Sequence, residues 1–261
     1  MALLAGLAAS ISGGIVGSYV VIKRIVFICG SIAHSVLGGM GLFLFLKRTY
    51  DLPFLEPIYG ALFAAIISAF LIGWIRLKHH EREDTVIAAI WASGMAIGVI
   101  FTSLTPGYNT EMMNFLFGNI LWASHSDIIM LFCLDLVVVF TTLIFYRRFL
   151  AICFDETHAR LKNLSVTPLY FLLLTLVAIT VVLLIQVVGA ILLIALLTLP
   201  AAIANSYTIK LSRMMGLAII ISLLLTTLGT SISFFVNWPP GATIALTSTI
   251  VYFINSSYKK S

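Results

Sequence analysis

The amino-acid sequence predicts an all-α fold, a polytopic transmembrane helical bundle in which the whole chain, 1–261, forms a single membrane domain. Two observations predict this fold class. Hydrophobic residues make up 61% of the chain and charged residues only 10%, against about a quarter charged in an ordinary globular domain. Apolar runs of about 20 residues, the length of helix that crosses a bilayer, recur from one end of the chain to the other.

Eight of these runs are predicted to be full spans, at 3–22, 25–46, 57–75, 85–104, 127–146, 168–186, 214–235 and 241–254. The last run is short for a bilayer crossing. The first run is expected to be a retained span, because its basic residues follow it, whereas those of a signal peptide come first. The three cysteines are odd in number and far apart, which excludes a disulfide framework and a CxxC metal site.

Basic residues predict the orientation of the bundle, because cytoplasmic loops carry an excess of Lys and Arg. The basic clusters assigned to the cytoplasm lie at 23–24, 76–82, 147–162, 210–213 and 259–260. Only Lys47 and Arg48 fall on the other side, where Asp51 and Glu56 partly offset their charge. The loops at 105–114 and 236–241 contain no basic residue and are assigned to the outside. The net charge of +5 is thus explained by the orientation of the chain in the membrane. The sequence has no Lys- or Arg-rich stripe interleaved with aromatic residues, the pattern that would indicate nucleic-acid binding.

The apolar stretch between Pro168 and Pro200 departs from a simple span. As one straight helix it would run about 50 Å, well beyond the ~30 Å hydrocarbon core. It is too short for two full spans and a turn, so Gln186 and Gly189 predict a full span followed by a short or re-entrant helix that ends at Pro200. Broken helices of this kind occur where protein or a water-filled cavity surrounds the exposed backbone. A single tilted and kinked helix is the alternative.

The second span places His34 near the middle of the membrane. Gly30, Gly38 and Gly41 share its helical face, and small residues at this spacing let a neighbouring helix approach closely. An imidazole inside a bilayer needs a partner, and histidine is the commonest metal-binding side chain. His34 is therefore the first candidate for contact with a transported ion, and a buried interhelical hydrogen bond is the alternative.

Asp135 is the second outlier, a carboxylate in the middle of the fifth span. Such groups face a bundle interior or a cavity. Asp135 could therefore assist a cation or pair with a neighbouring helix, and the sequence leaves both interpretations open. Asp127, at the beginning of the same span, is explained by helix N-capping.

Six segments, taken in order, resemble the permease subunits of ABC importers for zinc, manganese and iron. The resemblance spans nearly the whole chain. The segments are GSIAHSVLGGMG, REDTVIAAIWASGMAIGVIF, FLFGNILWASHSDI, FDETHARLKNLSV, VVGAILLIALLTLPAAIANSY and NWPPGATIAL.

The chain departs from the pattern of that family at two positions. The family motif often has an Asp four residues before the histidine, where this chain has Gly30, and an acidic residue before the final Pro-Gly turn, where it has Asn237. The usual pair of ligands is therefore incomplete. Ser31, Asp135 or water is expected to supply the missing oxygen to an ion held by His34.

The resemblance implies a homodimer in the cytoplasmic (inner) membrane of a bacterium, in contact with lipid, with the ion pathway along its two-fold axis. It also implies two cytoplasmic ATPase subunits and an external metal-binding protein that delivers the ion. By the same resemblance, the segment from Pro200 to Thr208 is the expected coupling helix that docks on the ATPase. Its candidate docking residues are Pro200, Ala201, Ala202, Ala204 and Asn205.

The resulting functional prediction is a permease for divalent transition metal ions, driven by separate ATPase subunits. The chain contains no GxxxxGK[ST] phosphate loop, so ATP is expected on the partner subunit and no cofactor is expected to be bound permanently. Zinc is the first choice of cargo from the affinity order of nitrogen ligands, with manganese or iron as alternatives. A gradient-driven secondary transporter is the competing function, since a broken helix and a lone membrane carboxylate suit it. No HExxH helix or nucleophile–base pair supports an enzyme.

Overall fold

The computed structural model describes residues 1–78, 83–107, 115, 118, 120 and 123–258. Nine α-helices and no β-strand lie within these ranges, which confirms the predicted all-α fold. The helices are α1 (Ala2–Lys23), α2 (Val26–Thr49), α3 (Pro57–Lys78), α4 (Glu83–Leu104), α5 (His125–Phe154), α6 (Glu156–Leu161), α7 (Val166–Tyr207), α8 (Leu211–Val236) and α9 (Pro240–Tyr258).

Seven of the described helices are long and apolar enough to cross a membrane, namely α1 to α5, α7 and α8. The polytopic bundle is therefore confirmed, with seven such helices where the sequence predicts about eight. The difference is α9, which covers the short predicted span 241–254 and is rich in Ser and Thr. Hydroxyl groups of Thr243, Thr247 and Ser248 donate to carbonyl oxygens one turn back in the chain. These bonds satisfy the hydroxyls locally but leave the helix less apolar than the others.

The chain divides into two compact units. The first consists of Met1–Ile25, Asn114–Glu156 and Leu183–Ser261, and the second of Val26–Met113 and Thr157–Val182. That both belong to a single domain, 1–261, stays a prediction.

In the first unit, α1 packs against α5 and α8, and its glycines also lie against the second half of α7. A Cβ atom added to Gly17 would lie 2.0 Å from the carbonyl oxygen of Leu197. The two backbones therefore touch at a point where only glycine fits. This is the close approach that small residues permit between helices in a membrane.

In the second unit, α2 packs against both α3 and α4. Gly39 of α2 and Gly60 of α3 meet backbone to backbone, since a Cβ atom on Gly39 would lie 2.0 Å from the carbonyl oxygen of Gly60. One turn away, the hydroxyl of Ser68 donates to the hydroxyl oxygen of Ser35 at 2.8 Å. Backbone contact and a buried polar pair thus fix α3 against α2.

The beginning of α5 shows how the sequence sets a helix boundary. The Ser124 side chain accepts a hydrogen bond from the backbone N–H of Asp127, and the Asp127 carboxylate accepts one from the backbone N–H of Ser124. This reciprocal pair is a capping box, which satisfies donors that a helix start leaves free. The N-capping interpretation of Asp127 is confirmed.

The long helix α7 is interrupted at Gly189, whose backbone angles, φ 80° and ψ 161°, are open essentially only to glycine. The predicted break is therefore confirmed. The helix does not end at Pro200, however, but continues through it to Tyr207. Pro200 has no N–H to offer the carbonyl of Leu196, and Gly13 and Gly17 of α1 lie against this part of the helix. Membrane helices tolerate an interior proline where neighbouring helices pack against the altered backbone.

Candidate functional site

His34 lies on the face of α2 that meets α4. Its imidazole stacks on the indole of Trp91, with ring centroids 4.4 Å apart and an interplanar angle of 15°. His34 as a whole is half-buried. Its Nδ1 atom is buried and has no hydrogen-bond partner among the residues that the structure describes. The alternative of a buried interhelical hydrogen bond thus finds no support at Nδ1 in the described part of the chain.

The glycines on the His34 face are used in helix packing. Added Cβ atoms on Gly38 and Gly41 would each lie 2.9 Å from a carbonyl oxygen of α4, that of Gly94 and that of Gly98 respectively. These contacts advance together along both helices, so α2 and α4 run in the same direction. The interpretation of these glycines as residues of close helix contact is confirmed.

Gly30 has a different neighbour. A Cβ atom at this position would lie 3.4 Å from the edge of the Trp91 ring, which is ordinary van der Waals contact. The indole therefore covers the space beside Gly30 as well as one face of His34. An aromatic ring therefore occupies the space beside the imidazole, where the family pattern would place a carboxylate.

Ser31 is fully buried, and its hydroxyl donates to the backbone carbonyl of Ile87 in α4 at 2.9 Å. This bond braces α2 against α4 one turn before the ring stack. The hydroxyl hydrogen of Ser31 is used in that bond, although the hydroxyl oxygen still has lone pairs that could bind a cation. The structure therefore gives Ser31 a packing role, and its role as an ion ligand stays a prediction.

Asp135 of α5 is only 5% exposed. Its Oδ1 atom accepts a hydrogen bond from the backbone N–H of Ser12 in α1 at 3.0 Å, and its Oδ2 atom is buried with no partner among the described residues. The bond to Ser12 favours the helix-pairing interpretation of this carboxyl group. Asp135 as an ion ligand beside His34 stays a prediction, because the two residues belong to different units.

No three His, Cys, Asp or Glu side chains within the described ranges lie close enough together to hold a metal ion. What this part of the chain offers is one half-buried imidazole rather than a closed set of protein ligands. Structural zinc sites have four protein ligands, whereas an ion in transit must be released. A closed zinc site of four such side chains is therefore not found among the described residues.

Three of the predicted coupling residues are buried. Pro200, Ala201 and Ala204 lie inside the first unit, and both alanines pack with Met214 and Ala218 of α8. This face of α7 holds the helix to the bundle. A bulky residue at Ala204 would break that packing before it could affect a partner protein.

The remaining predicted coupling residues are more accessible. Ala202 is half-buried and Asn205 is exposed. Tyr207, also exposed, donates a hydrogen bond from its hydroxyl to the Asn255 side chain of α9, and Ile209 is 95% exposed. Asn205 and Tyr207 at the end of α7, and Ile209 just after it, are therefore exposed in a position anchored by α8 and α9.

Sequence reasoning missed one neighbour of His34 and one ion pair between helices. Trp91 stands in an apolar run and looks like ordinary packing, but Gly94 and Gly98 mark the face of α4 that meets α2, and Trp91 lies on that face. From the sequence, Lys23 indicates only the orientation of the first span. Its ammonium group donates to the backbone carbonyl of Ile152 at 2.6 Å and pairs with the Glu156 carboxylate, which ties the end of α1 to the junction of α5 and α6.

Residues 1–259 match the model of a family described as the "ABC 3 transport family". The chain is 47% identical over 257 residues to the "Probable metal transport system membrane protein" of Chlamydia pneumoniae, which covers 98% of this chain and 87% of that protein. It is 30% identical over 253 residues to the "Manganese transport system membrane protein MntC" of Listeria monocytogenes, with 97% and 88% covered. The solved structure of "PsaBC from Streptococcus pneumoniae in complex with Fab" is similar to it with a TM-score of 0.84 and 27% identity, over 97% of this chain and 89% of that one.

Proposed function

Because the chain belongs to the ABC 3 transport family, we propose that it is the permease subunit of an ABC importer for divalent transition metal ions. The observation that carries the proposal is the family match over residues 1–259, which includes the seven described helices that are long and apolar enough to cross a membrane. The chain is an integral protein of a bacterial membrane. In this function it forms the path of the ion, and ATP is hydrolysed elsewhere.

His34 is the residue through which the path acts on the ion. It supplies one neutral nitrogen ligand from a half-buried position, and water or backbone carbonyl oxygens complete the coordination. A small number of protein ligands keeps the ion weakly bound, which is what conduction requires. Ser31 and Asp135 are secondary candidates, because each already makes a hydrogen bond that braces two helices.

Manganese is the cargo we test first, because two of the matching proteins carry manganese transport in their names, and iron is the alternative, because another matching protein is named for iron transport. The zinc preferred by sequence reasoning rests only on the higher affinity of nitrogen ligands for zinc. Availability and the protein that delivers the ion also decide which metal is carried. A direct competition between the two ions is therefore part of the test of function.

The proposed assembly is a homodimer of this chain with two cytoplasmic ATPase subunits and an external metal-binding protein. The proposed contact with the ATPase is the end of α7 and the residues just after it. Asn205 and Tyr207 are exposed on a helix whose other face is packed on α8, and Ile209 is exposed in the short connection that follows. Such a rigid connection can transmit movement of the ATPase into the bundle.

The proposed function predicts ATP-dependent metal uptake by proteoliposomes that contain the whole complex. Radiolabelled manganese is expected to accumulate when ATP is present on the ATPase side, and excess unlabelled manganese is expected to compete better than zinc. Ionophores that collapse ion gradients serve as the control and should leave uptake unchanged. Uptake driven by a gradient without ATP would establish the secondary transporter instead.

The proposed coupling surface predicts that Asn205→Trp lowers ATP-driven uptake by about tenfold or more while the bundle stays folded. Removing a well-packed contact at an interface costs ~2 kcal/mol or more, and a large ring on an exposed face blocks docking without entering the core. Ser103→Trp, at an exposed position near the end of α4, is the matched control. The measurement is co-purification of the ATPase subunit together with uptake. Normal values of both in Asn205→Trp would remove this surface from the coupling role.

A further inference from the structure

The orientation of the His34 ring lacks the support that metal-binding histidines usually have. Such a histidine almost always donates its second ring N–H to a carboxylate, a carbonyl or water, which fixes the ring and its tautomer. Here Nδ1 is buried without a hydrogen-bond partner in the described part of the chain. Something other than a hydrogen bond must therefore hold the imidazole in place.

The Trp91 indole makes the one ring contact of His34 in the described residues, at 4.4 Å and 15° from parallel. Stacked aromatic pairs are favoured beyond the area that they bury, in offset geometries with centroids about 4.5 to 7 Å apart. The stack restricts rotation of the imidazole about its side-chain bonds. Because Nδ1 is buried, we infer that Nε2 is the ring nitrogen that can bind an ion.

The backbone around the stack limits how far either ring can move. The edge of the Trp91 ring also lies beside Gly30, where an added Cβ atom would be 3.4 Å from it. The next contacts between α2 and α4 are the Ser31–Ile87 hydrogen bond and the close approach of Gly38 to Gly94. These contacts clamp α2 to α4 on both sides of the rings. The pair therefore sits in a rigid frame, as a site that must present one nitrogen reproducibly requires.

The stack also favours the ion-bound state. An imidazole that has donated its lone pair to a divalent cation is poor in electrons, and the face of an indole is the most favourable aromatic surface for a positively charged group. The interaction of the two rings is therefore stronger when the ion is bound than when it is absent.

From these contacts we propose that Trp91 is the positioning residue of the ion site, holding the His34 imidazole by stacking so that Nε2 faces the path. This inference rests on the proposed function, because it assigns a role to Trp91 at the same histidine.

The first experiment compares Trp91→Leu, which keeps apolar volume but removes the aromatic face, with Trp91→Phe, which keeps a smaller aromatic face. In the reconstituted complex, Trp91→Leu is expected to raise the KM for manganese roughly two- to tenfold, the range that an aromatic pair supplies. Trp91→Phe is expected to stay close to the unmodified protein. Trp238→Leu, at an exposed tryptophan, is the control and should change nothing.

The second experiment detects the ion beside the ring and does not require transport. The complex is prepared with fluorotryptophan, and the Trp91 signal in the fluorine NMR spectrum is assigned by its absence in Trp91→Phe. Paramagnetic Mn²⁺ is expected to broaden this signal, and His34→Ala is expected to abolish the broadening. If Trp91→Leu fails to assemble, this measurement decides the question by itself.

An unchanged KM in Trp91→Leu, or a Trp91 signal that Mn²⁺ leaves sharp, would overturn the inference. The proposed function fails separately, through metal uptake that needs no ATP or that survives the loss of His34. Loss of uptake in His34→Ala combined with an unchanged KM in Trp91→Leu would reject only the role of Trp91.

Discussion

His34→Ala is expected to abolish metal uptake while the complex with the ATPase subunit still assembles. Loss of an outer partner of a metal ligand already costs roughly 10–100-fold in affinity or activity, so loss of the ligand itself should lower uptake by about two orders of magnitude or more. Assembly should survive, because His34 is half-buried and the helix contact is made by the neighbouring glycines. The measurement is radiolabelled manganese and zinc uptake by proteoliposomes.

Two variants serve as controls for this result. His125→Ala removes an exposed histidine at the start of α5 and should leave uptake intact. Asp135→Asn keeps an oxygen that can accept the N–H of Ser12, so uptake and assembly should both persist if that carboxyl group only braces α1 and α5. Unchanged uptake in His34→Ala would reject the ion site, whereas loss of uptake with normal assembly in Asp135→Asn would restore Asp135 to the pathway.

Gly39→Ala is expected to have the largest effect on folding. The new Cβ atom would lie 2.0 Å from the carbonyl oxygen of Gly60 and 2.6 Å from the Ala64 Cβ atom, so α3 would have to move away from α2 as a whole. Overpacking typically costs about 1–3 kcal/mol, and backbone contacts cannot be relieved by a change of rotamer. We expect a loss near the upper end of that range, measured as thermal unfolding in detergent.

The matched control for this prediction is Gly216→Ala in α8. A Cβ atom there meets nothing within 4 Å, and alanine is about 1 kcal/mol more favourable than glycine inside a helix. Its unfolding temperature should therefore stay the same or rise. Equal unfolding temperatures for the Gly39→Ala variant and the unmodified protein would show that α2 and α3 are not locked in this contact.

The sequence was a good guide wherever one helix could be considered alone. Spans follow from the length of apolar runs, and the face that joins Gly38 and Gly41 to His34 follows from helical periodicity. The break at Gly189 could be predicted because a continuous helix would be too long for a bilayer. These properties depend on residues close together in the sequence.

Properties that depend on a second helix were not accessible in the same way. The hydrogen-bond partner of Asp135 is the backbone N–H group of Ser12. Every residue except proline has such a group, so the sequence does not show which one Asp135 contacts. Trp91 becomes part of the site only because α4 presents it to α2. Pro200 predicts a helix end by its own chemistry, and the helix passes through it in a place where the glycines of α1 lie alongside.

The break at Gly189 has a consequence for how the chain enters the membrane during its synthesis. The 42 residues of α7 contain no charged side chain, so insertion machinery receives a segment with no internal signal for either orientation. Arg160 and Lys162 precede it, and Lys210 and Arg213 follow it. Basic residues that flank a membrane segment tend to remain on the cytoplasmic side. An uninterrupted helix could leave only one flank there, so we expect both basic flanks to stay on that side only if the chain reverses direction at Gly189.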